Sequence, residues 1–183
     1  MATAEALLTA EEFGRRSDPG YPEELVRGRI VTMPSPKPRH GQVCARAIRL
    51  LDRFLEESEL GQVLSNDSGV ITERDPDTVR GADVSFYSYD RLAKGPIPPG
   101  YLDIPPNLIV EVRSPDDRWR DVYKKVHEYL AVGVICVVVL DPEPGSVYIF
   151  HADRAPRQLG LDDELTLPDI FPDFRVKVAR FFE

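Results

Sequence analysis

Two carboxylates lie inside stretches of sequence that are typical of buried strands. Glu111 lies near the end of the apolar run in "NLIVEVRSPDD", and Asp83 lies within "GADVSF". Because side chains alternate along a strand, Glu111 shares the face of Ile109. Asp83 in the same way shares the face of Ser85. The two carboxylates converge if their strands are neighbours in the sheet.

A carboxylate in a buried strand needs a partner, because an unpaired charge there costs several kcal/mol. Carboxylate oxygens suit Mg²⁺, and a bound Mg²⁺ can activate water and stabilise charge on a phosphate. The alternative is that each carboxylate caps a strand end or pairs with an arginine. Arg80 and Arg113 are near enough in sequence for such pairing. For Asp83 alone we favour this alternative, and for Glu111 both stay open.

The helix predicted after Glu111 offers a lysine to this constellation. Its apolar residues recur with helical spacing: Trp119, Val122, Tyr123, Val126, Tyr129 and Leu130. On the helical projection Lys125 borders this stripe, whereas Lys124 points to solvent. Lys125 is therefore the better candidate to reach back toward the strand ends. The alternative is a solvated lysine whose stem covers apolar surface.

The elements that must position these residues alternate between strands and helices. Strands are predicted over 61–72 and 81–89, and the strand–helix–strand over 108–140 predicts a parallel crossover. We therefore expect an α/β fold, with a mixed central β-sheet flanked by helices, in a single domain over residues 1–183. The hairpin around "VYIF" and the C-terminal tail are expected to supply the surface of a homodimer.

The composition limits the classes of protein to consider. Of the 183 residues, 42% are hydrophobic and 30% are charged, as in an ordinary globular domain. The acidic start "MATAEALLTAEEF" lacks the positive region of a signal peptide, and the longest apolar run is too short for a membrane span. We therefore expect a cytoplasmic protein with no membrane partner. With three histidines and no Cys/His cluster in sequence, a zinc site has little support.

A basic stripe lies on the helix predicted from about residue 40 to 57. The net charge of −8 argues against a globally basic nucleic-acid binder, but residues 27–53 hold seven basic side chains and one acid. Four arginines fall within about 80° of one another on the helical projection: Arg39, Arg46, Arg49 and Arg53. Such a row suits contacts to phosphates, and it is equally typical of the solvated face of a helix.

In combination, these features resemble the PD-(D/E)XK nuclease superfamily, whose pattern is a strand aspartate, a strand glutamate and a lysine. More closely, the chain resembles the bacterial Uma-two family of restriction endonuclease-like proteins, from about Leu8 to the C-terminus. The matching pieces are "EELVRGRIV", "RHGQV", "DTVRGADVSF", "LIVEVRSPDD", "KKVHEYLAVGV" and "VVLDP", in the family's order and spacing. The resemblance implies a restriction endonuclease-like core and a metal-dependent endonuclease whose partner is nucleic acid, with DNA as the expected substrate.

The resemblance also implies roles for individual residues. Asp83 and Glu111 would bind Mg²⁺ or Mn²⁺, with the backbone carbonyl of Val112 as a further ligand. Arg113 stands where the standard motif has lysine, and the lysine of this family matches Lys125.

Two further positions match the family, and three depart from it. Glu24 is expected to touch the water shell of the metal. His40 is expected at the start of the long helix, where a buried, hydrogen-bonded role is favoured over contact with substrate. Ala82 replaces a proline, and Cys136 and Val137 replace an aromatic residue. No departure removes a catalytic group.

Three functions stay open on the sequence. The first is a metal-dependent nuclease, with Asp116 and Asp117 as candidate outer ligands. The second is a nuclease-like core that binds a partner and no longer cuts. The third is an α/β domain whose acids are all paired with arginines, in which case Glu111 lies against Arg113 or Arg80.

Overall fold

The structure is a computed structural model that describes residues 6–183. The first five residues of the acidic N-terminal stretch lie outside the described residues. The elements follow one another in this order: α1 (Ala10–Gly14), β1 (Glu23–Val26), β2 (Arg29–Thr32), α2 (Pro38–Ser58), β3 (Gly61–Glu73), β4 (Thr78–Ser88), β5 (Leu108–Val112), α3 (Trp119–Ala131), β6 (Cys136–Asp141), β7 (Ser146–Phe150), β8 (Arg157–Leu159), β9 (Glu164–Leu167), β10 (Phe171–Lys177) and α4 (Ala179–Phe182).

Eight strands form one mixed sheet. Its order is β2-β1-β4-β5-β6-β7-β8, and β3 pairs with β4 outside this path. β5 and β6 are parallel, and α3 connects them. This is the crossover that the sequence predicts. The prediction of a mixed central sheet flanked by helices is therefore confirmed.

Two helices cover opposite faces of the sheet. α2 buries residues that recur at every fourth position, namely Val43, Ala47, Leu51 and Leu55. They join one core cluster with Val110, whereas Val126 and Tyr129 of α3 join a second cluster with Ile109. Because side chains alternate along β5, Glu111 lies on the face of Ile109 and points toward α3. The helix that carries Lys125 therefore covers the face that carries Glu111.

The C-terminal tail packs inside the chain. β9 and β10 form an antiparallel hairpin, and their apolar side chains enter the core cluster of α2: Leu165, Leu167, Phe171 and Phe174. Val147, Ile149 and Phe150 of the "VYIF" hairpin are also buried. The surface expected to form a homodimer is thus occupied within the chain, and the homodimer itself stays a prediction. None of the helices that the structure describes is long and apolar enough to cross a membrane.

Candidate active site

The candidate site lies in a gap along one edge of β4. β3 pairs with β4 along the other edge, over almost its whole length. On the edge of the gap, β1 pairs with β4 at Val79, and β5 pairs with it from Val84 to Phe86. Residues 80–83 therefore have no strand beside them on this edge. Side chains from β1, β5 and α3 fill the space.

Two of these side chains contact the backbone of Gly81, and a third contacts one of the two. The N–H of Gly81 donates to Oε1 of Glu24 over 3.2 Å, and its carbonyl accepts from Nζ of Lys125 over 3.3 Å. Lys125 Nζ also lies 3.0 Å from Glu24 Oε1 and 3.7 Å from Glu111 Oε1. The fold therefore brings together three residues that the sequence singles out. Glu24 and Lys125 are 101 positions apart in the chain (125 − 24), so only the tertiary structure could bring the three residues together.

Tyr129 and Lys125 hold the Glu111 carboxyl, and no arginine contacts it among the contacts described. The Tyr129 hydroxyl lies 2.7 Å from Glu111 Oε1 and 3.1 Å from the carbonyl oxygen of Gly81. Burial raises the pKa of Glu111 to about 8, although Lys125 acts to lower it. A hydroxyl has one proton to donate and can also accept. Neutral Glu111 can therefore donate to Tyr129, and ionised Glu111 can accept from it.

The lysine and Glu24 carry opposite charges. Burial acts to lower the pKa of Lys125, but the carboxylates of Glu111 and Glu24 outweigh it and raise the pKa above its ordinary value. Burial acts to raise the pKa of Glu24, but Lys125 and Arg80 outweigh it and lower the pKa. Near neutral pH, Lys125 is thus an ammonium and Glu24 a carboxylate. The pKa of Glu111 is about 8, so its charge near neutral pH depends on the groups around it.

Asp83 stands where β4 and β5 diverge. The last pair recorded between these strands is Val84 with Val110. One residue further on, Asp83 Oδ2 accepts the N–H of Val112 over 2.6 Å, in place of a further ladder bond. The backbone of Val112 therefore contacts Asp83 through its N–H, whereas the role proposed from the family uses its carbonyl. Asp83 is held by hydrogen bonds rather than by an arginine.

His40 contacts Asp83 from the first turn of α2. Its Nε2 lies 3.3 Å from Asp83 Oδ2, and its Nδ1 lies 3.5 Å from Cys44 Sγ. Burial acts to lower the pKa of His40, but Asp83 and Cys44 outweigh it and raise the pKa to about 10. The histidine is partly buried and hydrogen-bonded, as the sequence favours. The sequence contains no Cys/His cluster, but the helix places His40 and Cys44 one turn apart beside Asp83.

The Arg80 side chain of β4 forms hydrogen bonds to residues of two other elements. The sequence alone does not predict these contacts. Its Nη1 donates to Glu24 over 2.8 Å, and its Nε and Nη2 donate to Glu128 over 2.6 and 2.9 Å. The side chain is 9% exposed. Arg80 therefore ties β1 and α3 to β4, and its charge serves Glu24 rather than Glu111 or Asp83.

Asp67 is a further acid beside the site that the sequence prediction missed. The register of β3 with β4 shifts between Ser65 and Ser68, so residues 66–67 form a bulge across from Asp83. Both bulge residues have a positive φ, 66° at Asn66 and 53° at Asp67. The sequence signal for this bulge is the Asn66-Asp67 pair in "SNDSG", because these residue types tolerate the left-handed region and interrupt strand patterns.

Three other charged residues near the end of β5 have partners elsewhere. Arg113 pairs with Asp141 over 3.1 Å, and its guanidinium lies over the Trp119 ring. Asp116 pairs with Lys37 at the surface. Asp117 accepts the N–H of Ser114. Arg113, which stands where the standard nuclease motif has lysine, thus stabilises the end of β5. The contacts described for Asp116 and Asp117 lie outside the gap.

The four arginines of α2 differ in their surroundings. Arg39 donates to the carbonyl oxygen of Phe182 and to Gln42. Arg46 is half-buried, and Arg49 and Arg53 are exposed. Arg53 also lines a groove between α2 and the C-terminal hairpin, together with Arg175, Lys177, Arg180 and three acids. The basic stripe is therefore on the surface and begins beside His40.

The fold is shared with a solved structure of a nuclease-like protein. It is similar to the structure titled "putative nuclease belonging to DUF820 from Anabaena variabilis ATCC 29413", with a TM-score of 0.83 and 17% sequence identity. The alignment covers 96% of this chain and 97% of the other. In all, five chains of solved structures match. At this identity the likeness shows the fold alone.

A family model identifies the chain more narrowly. The model of the Uma2 family, described as "Putative restriction endonuclease", matches residues 10–179. The chain belongs to this family. No curated protein matches it. The description of the family supports a nuclease, and the resemblance found in the sequence is confirmed.

Proposed function

We propose that the chain is a magnesium-dependent endonuclease that hydrolyses phosphodiester bonds of DNA. The observation that carries the proposal is the convergence of Glu24 and Glu111 on Lys125, whose ammonium also contacts Gly81 on the same strand as Asp83. Four elements each supply one of these side chains. We further propose that it works in the cytoplasm as a single-domain protein and as a homodimer.

The residues in the gap fit Mg²⁺ or Mn²⁺. Both cations prefer carboxylate oxygens, and three carboxyl groups lie around the gap. The Glu111 side chain is only 13% exposed, and its pKa is raised because the nearby Lys125 offsets only part of the cost of burying its charge. A divalent cation would supply the missing positive charge. Asp83 and Glu111 would hold it, with Glu24 and the carbonyl of Val112 as further contacts.

The chain's own groups then have distinct tasks. When bound, the cation supplies Lewis acidity and a water of lowered pKa. Lys125 stays protonated, so it cannot act as the base, and its ammonium is placed to stabilise charge that develops on the phosphate. Tyr129 holds the ionised Glu111 in place by donating to it. His40 and the N–H of Val112 fix the Asp83 carboxylate.

The test is cleavage of supercoiled plasmid and of single-stranded DNA with Mg²⁺ or Mn²⁺. Glu111→Gln keeps the shape of the side chain and removes its charge, so we expect cleavage to be lost. The matched control is Glu143→Gln, since Glu143 is exposed in the turn after β6. Equal cleavage by the wild type and Glu111→Gln would refute the assignment of the site.

A second measurement distinguishes the proposed nuclease from a nuclease-like protein that binds a partner without cutting. A protein whose native state binds Mn²⁺ gains thermal stability with rising metal concentration. We expect this gain in the wild type, and a smaller one in Glu111→Gln. A gain without any cleavage would favour the binding protein. No gain and no cleavage would favour the purely structural domain.

A further inference from the structure

A continuous strip of aromatic rings lies between α3 and β7. The centroid of the Trp119 ring is 5.4 Å from that of Tyr123 and 4.6 Å from that of Tyr148. The Tyr123 ring in turn lies 5.8 Å from the ring of Phe150. We name these four residues the aromatic strip. The function proposed above makes no use of it.

Tyr123 is the exposed ring of the aromatic strip. It is 49% exposed, whereas Phe150 is 5% exposed and Trp119 and Tyr148 are half-buried. The ring is nevertheless held in place, since it is tilted by 32° against Trp119 and stands at 78° to Phe150. Ordering a side chain on binding costs free energy, and a ring that is fixed in advance avoids much of that cost. Tyr123 is therefore well suited to stack on a flat ligand.

The aromatic strip and the candidate active site lie on opposite flanks of α3. Trp119 and Tyr123 are one helical turn apart, so they share one flank, and that flank faces β7. Lys125 reaches Gly81 of β4 from the other flank. β4 and β7 are three strand spacings apart in the sheet, about 14 Å. A nucleic-acid strand that leaves the gap across α3 therefore reaches the aromatic strip within a few nucleotides.

The charges on this part of α3 favour an anionic ligand. Arg118, at the N-cap position, is exposed and forms no ion pair within the part of the chain that the structure describes. Both acids of α3 already have basic partners: Asp121 pairs with Arg120 over 3.3 Å, and Glu128 pairs with Arg80 over 2.6 Å. A free cation next to aromatic rings, with the carboxylates of the helix already paired, suits the backbone of a nucleic acid.

Aromatic rings with a cation select unpaired nucleotides. In a duplex the bases stack on one another, so the face of a base is accessible only where the strand is unpaired. Proteins that bind single strands stack bases on aromatic side chains and follow the backbone with positive charge. α2 and its arginines lie on the opposite face of the sheet, so the aromatic strip is not a continuation of that basic stripe. The two surfaces therefore suit different parts of a DNA molecule.

We propose that the aromatic strip binds an unpaired stretch of the DNA substrate, with one base stacked on the Tyr123 ring and a neighbouring phosphate bound by Arg118. The inference rests on the nuclease function proposed above. It narrows the substrate to DNA that has unpaired nucleotides within a short distance of the cleaved bond. No bond forms or breaks at the aromatic strip, which binds and orients the strand.

The test uses the intrinsic fluorescence of Trp119, which is the only tryptophan in the sequence. The full-length protein is titrated with a single-stranded thymidine oligonucleotide, in the presence of a chelator that prevents cleavage. A base stacked on the adjacent Tyr123 ring should quench the emission of Trp119. An abasic oligonucleotide of the same length carries the phosphates without the bases, and we expect it to cause no quenching.

Variants of Tyr123 separate the ring from its hydroxyl group, and fluorescence anisotropy of the labelled oligonucleotide measures their affinity. Tyr123→Ala should weaken binding by about 5- to 100-fold, the usual cost of losing one stacked base. Tyr123→Phe keeps the ring and should bind as the wild type does. Tyr21→Ala is the matched control, because Tyr21 is 51% exposed and precedes β1. Arg118→Ala should reduce the slope of log K against log salt concentration by about 0.7, which corresponds to one phosphate contact.

Three results of the titrations would overturn the proposal. They are the absence of quenching in the wild type, equal quenching by the abasic oligonucleotide, and an unchanged affinity in Tyr123→Ala. Circular dichroism verifies that each variant is folded. Sedimentation of the wild type and of Tyr123→Ala gives a fourth result, since a dimer that the substitution dissociates would make the aromatic strip an interface between copies of the chain.

Failure of this inference and failure of the nuclease function are distinguishable, because the titration is carried out without cleavage. Plasmid cleavage by a protein that shows no quenching would refute the role of the aromatic strip alone. Quenching by a protein that does not cleave would refute the nuclease function alone.

Discussion

Glu111 shows what holds a carboxyl group inside a strand of this protein. Its partners are the Tyr129 hydroxyl and the Lys125 ammonium, both from the helix that covers the same face of the sheet. The helical projection of α3 favoured Lys125 over Lys124 as a partner of the strand carboxylates, with a solvated lysine left open as the alternative. Tyr129 was not predicted as a partner, because in the sequence it is one more aromatic residue of an apolar stripe.

A substitution at Lys125 tests its role in charge stabilisation. Lys125→Met keeps the apolar stem and removes the ammonium. We expect cleavage to fall by about 100-fold or more, the usual cost of losing one donor that stabilises the transition state. Lys124→Met is the matched control, since Lys124 is the neighbouring residue and its side chain is 60% exposed. Plasmid cleavage at saturating Mg²⁺ measures both variants, and similar rates would argue against a role for Lys125.

At the scale of the elements, the site exists because two strands share one edge of β4 and leave a gap between them. The crossover from β5 to β6 follows from local patterns, since the strands are short apolar runs and α3 has a helical stripe. The pairing of β1 with β4 joins residues more than 50 positions apart, and nothing in the local pattern indicates it. The placement of Glu24 in the gap therefore came from the family resemblance and not from periodicity. The bulge that carries Asp67 lies instead in the pairing of β3 with β4, two strands that are consecutive in the chain.

Arg80 is expected to hold this arrangement together. Arg80→Met leaves the buried Glu24 carboxylate without its arginine, and breaking a buried ion pair costs about 3–5 kcal/mol. Arg120→Met is the control, because Arg120 forms a pair with Asp121 at the surface and should cost less than about 1 kcal/mol. Urea unfolding monitored by circular dichroism gives both values. Equal losses in the two variants would show that Arg80 does not anchor β1 and α3.

Asp77 fixes α1 to the start of β4. Its carboxylate accepts the N–H groups of Ala10 and Asp75 and pairs with Arg74. Burial acts to raise the pKa of Asp77, but these hydrogen bonds outweigh it and lower the pKa. A lowered folded pKa means that the stabilisation is complete above the unfolded pKa of about 3.9 and declines as the pH falls below it.

The expected result is that Asp77→Asn lowers the free energy of unfolding near neutral pH by about 1–3 kcal/mol. The difference from the wild type should shrink as the pH falls below about 3.9, because the carboxyl is protonated first in the unfolded chain and, at still lower pH, in the folded protein. Asp103→Asn is the control, since Asp103 pairs with the same Arg74 but its side chain is 83% exposed. Denaturant unfolding near neutral pH and at a pH below about 3.9 measures how the difference in the free energy of unfolding changes with pH. A difference that stays constant with pH would contradict the assignment.

At the scale of the whole molecule, an acidic protein carries a basic helix beside its candidate site. The net charge is −8, so general attraction to a polyanion is unfavourable, and binding has to depend on a local surface. α2 begins beside Asp83 with His40 and presents Arg46, Arg49 and Arg53 further along. The helical projection of the arginines predicted a basic stripe that the net charge does not indicate, but its position beside Asp83 is seen only in the structure.

The arginines of α2 should set the salt dependence of DNA binding. Each phosphate contact contributes about 0.9 to the slope of log K against log salt concentration. Replacing Arg46, Arg49 and Arg53 by alanine should therefore weaken binding and reduce the slope by roughly 2 to 3. Fluorescence anisotropy with a short labelled duplex, in the presence of a chelator that prevents cleavage, measures the slope. The control replaces three exposed arginines elsewhere, Arg15, Arg120 and Arg157, and so makes the same change in net charge. If both triple variants change the slope equally, only net charge matters and the arginines of α2 are a solvated helix face.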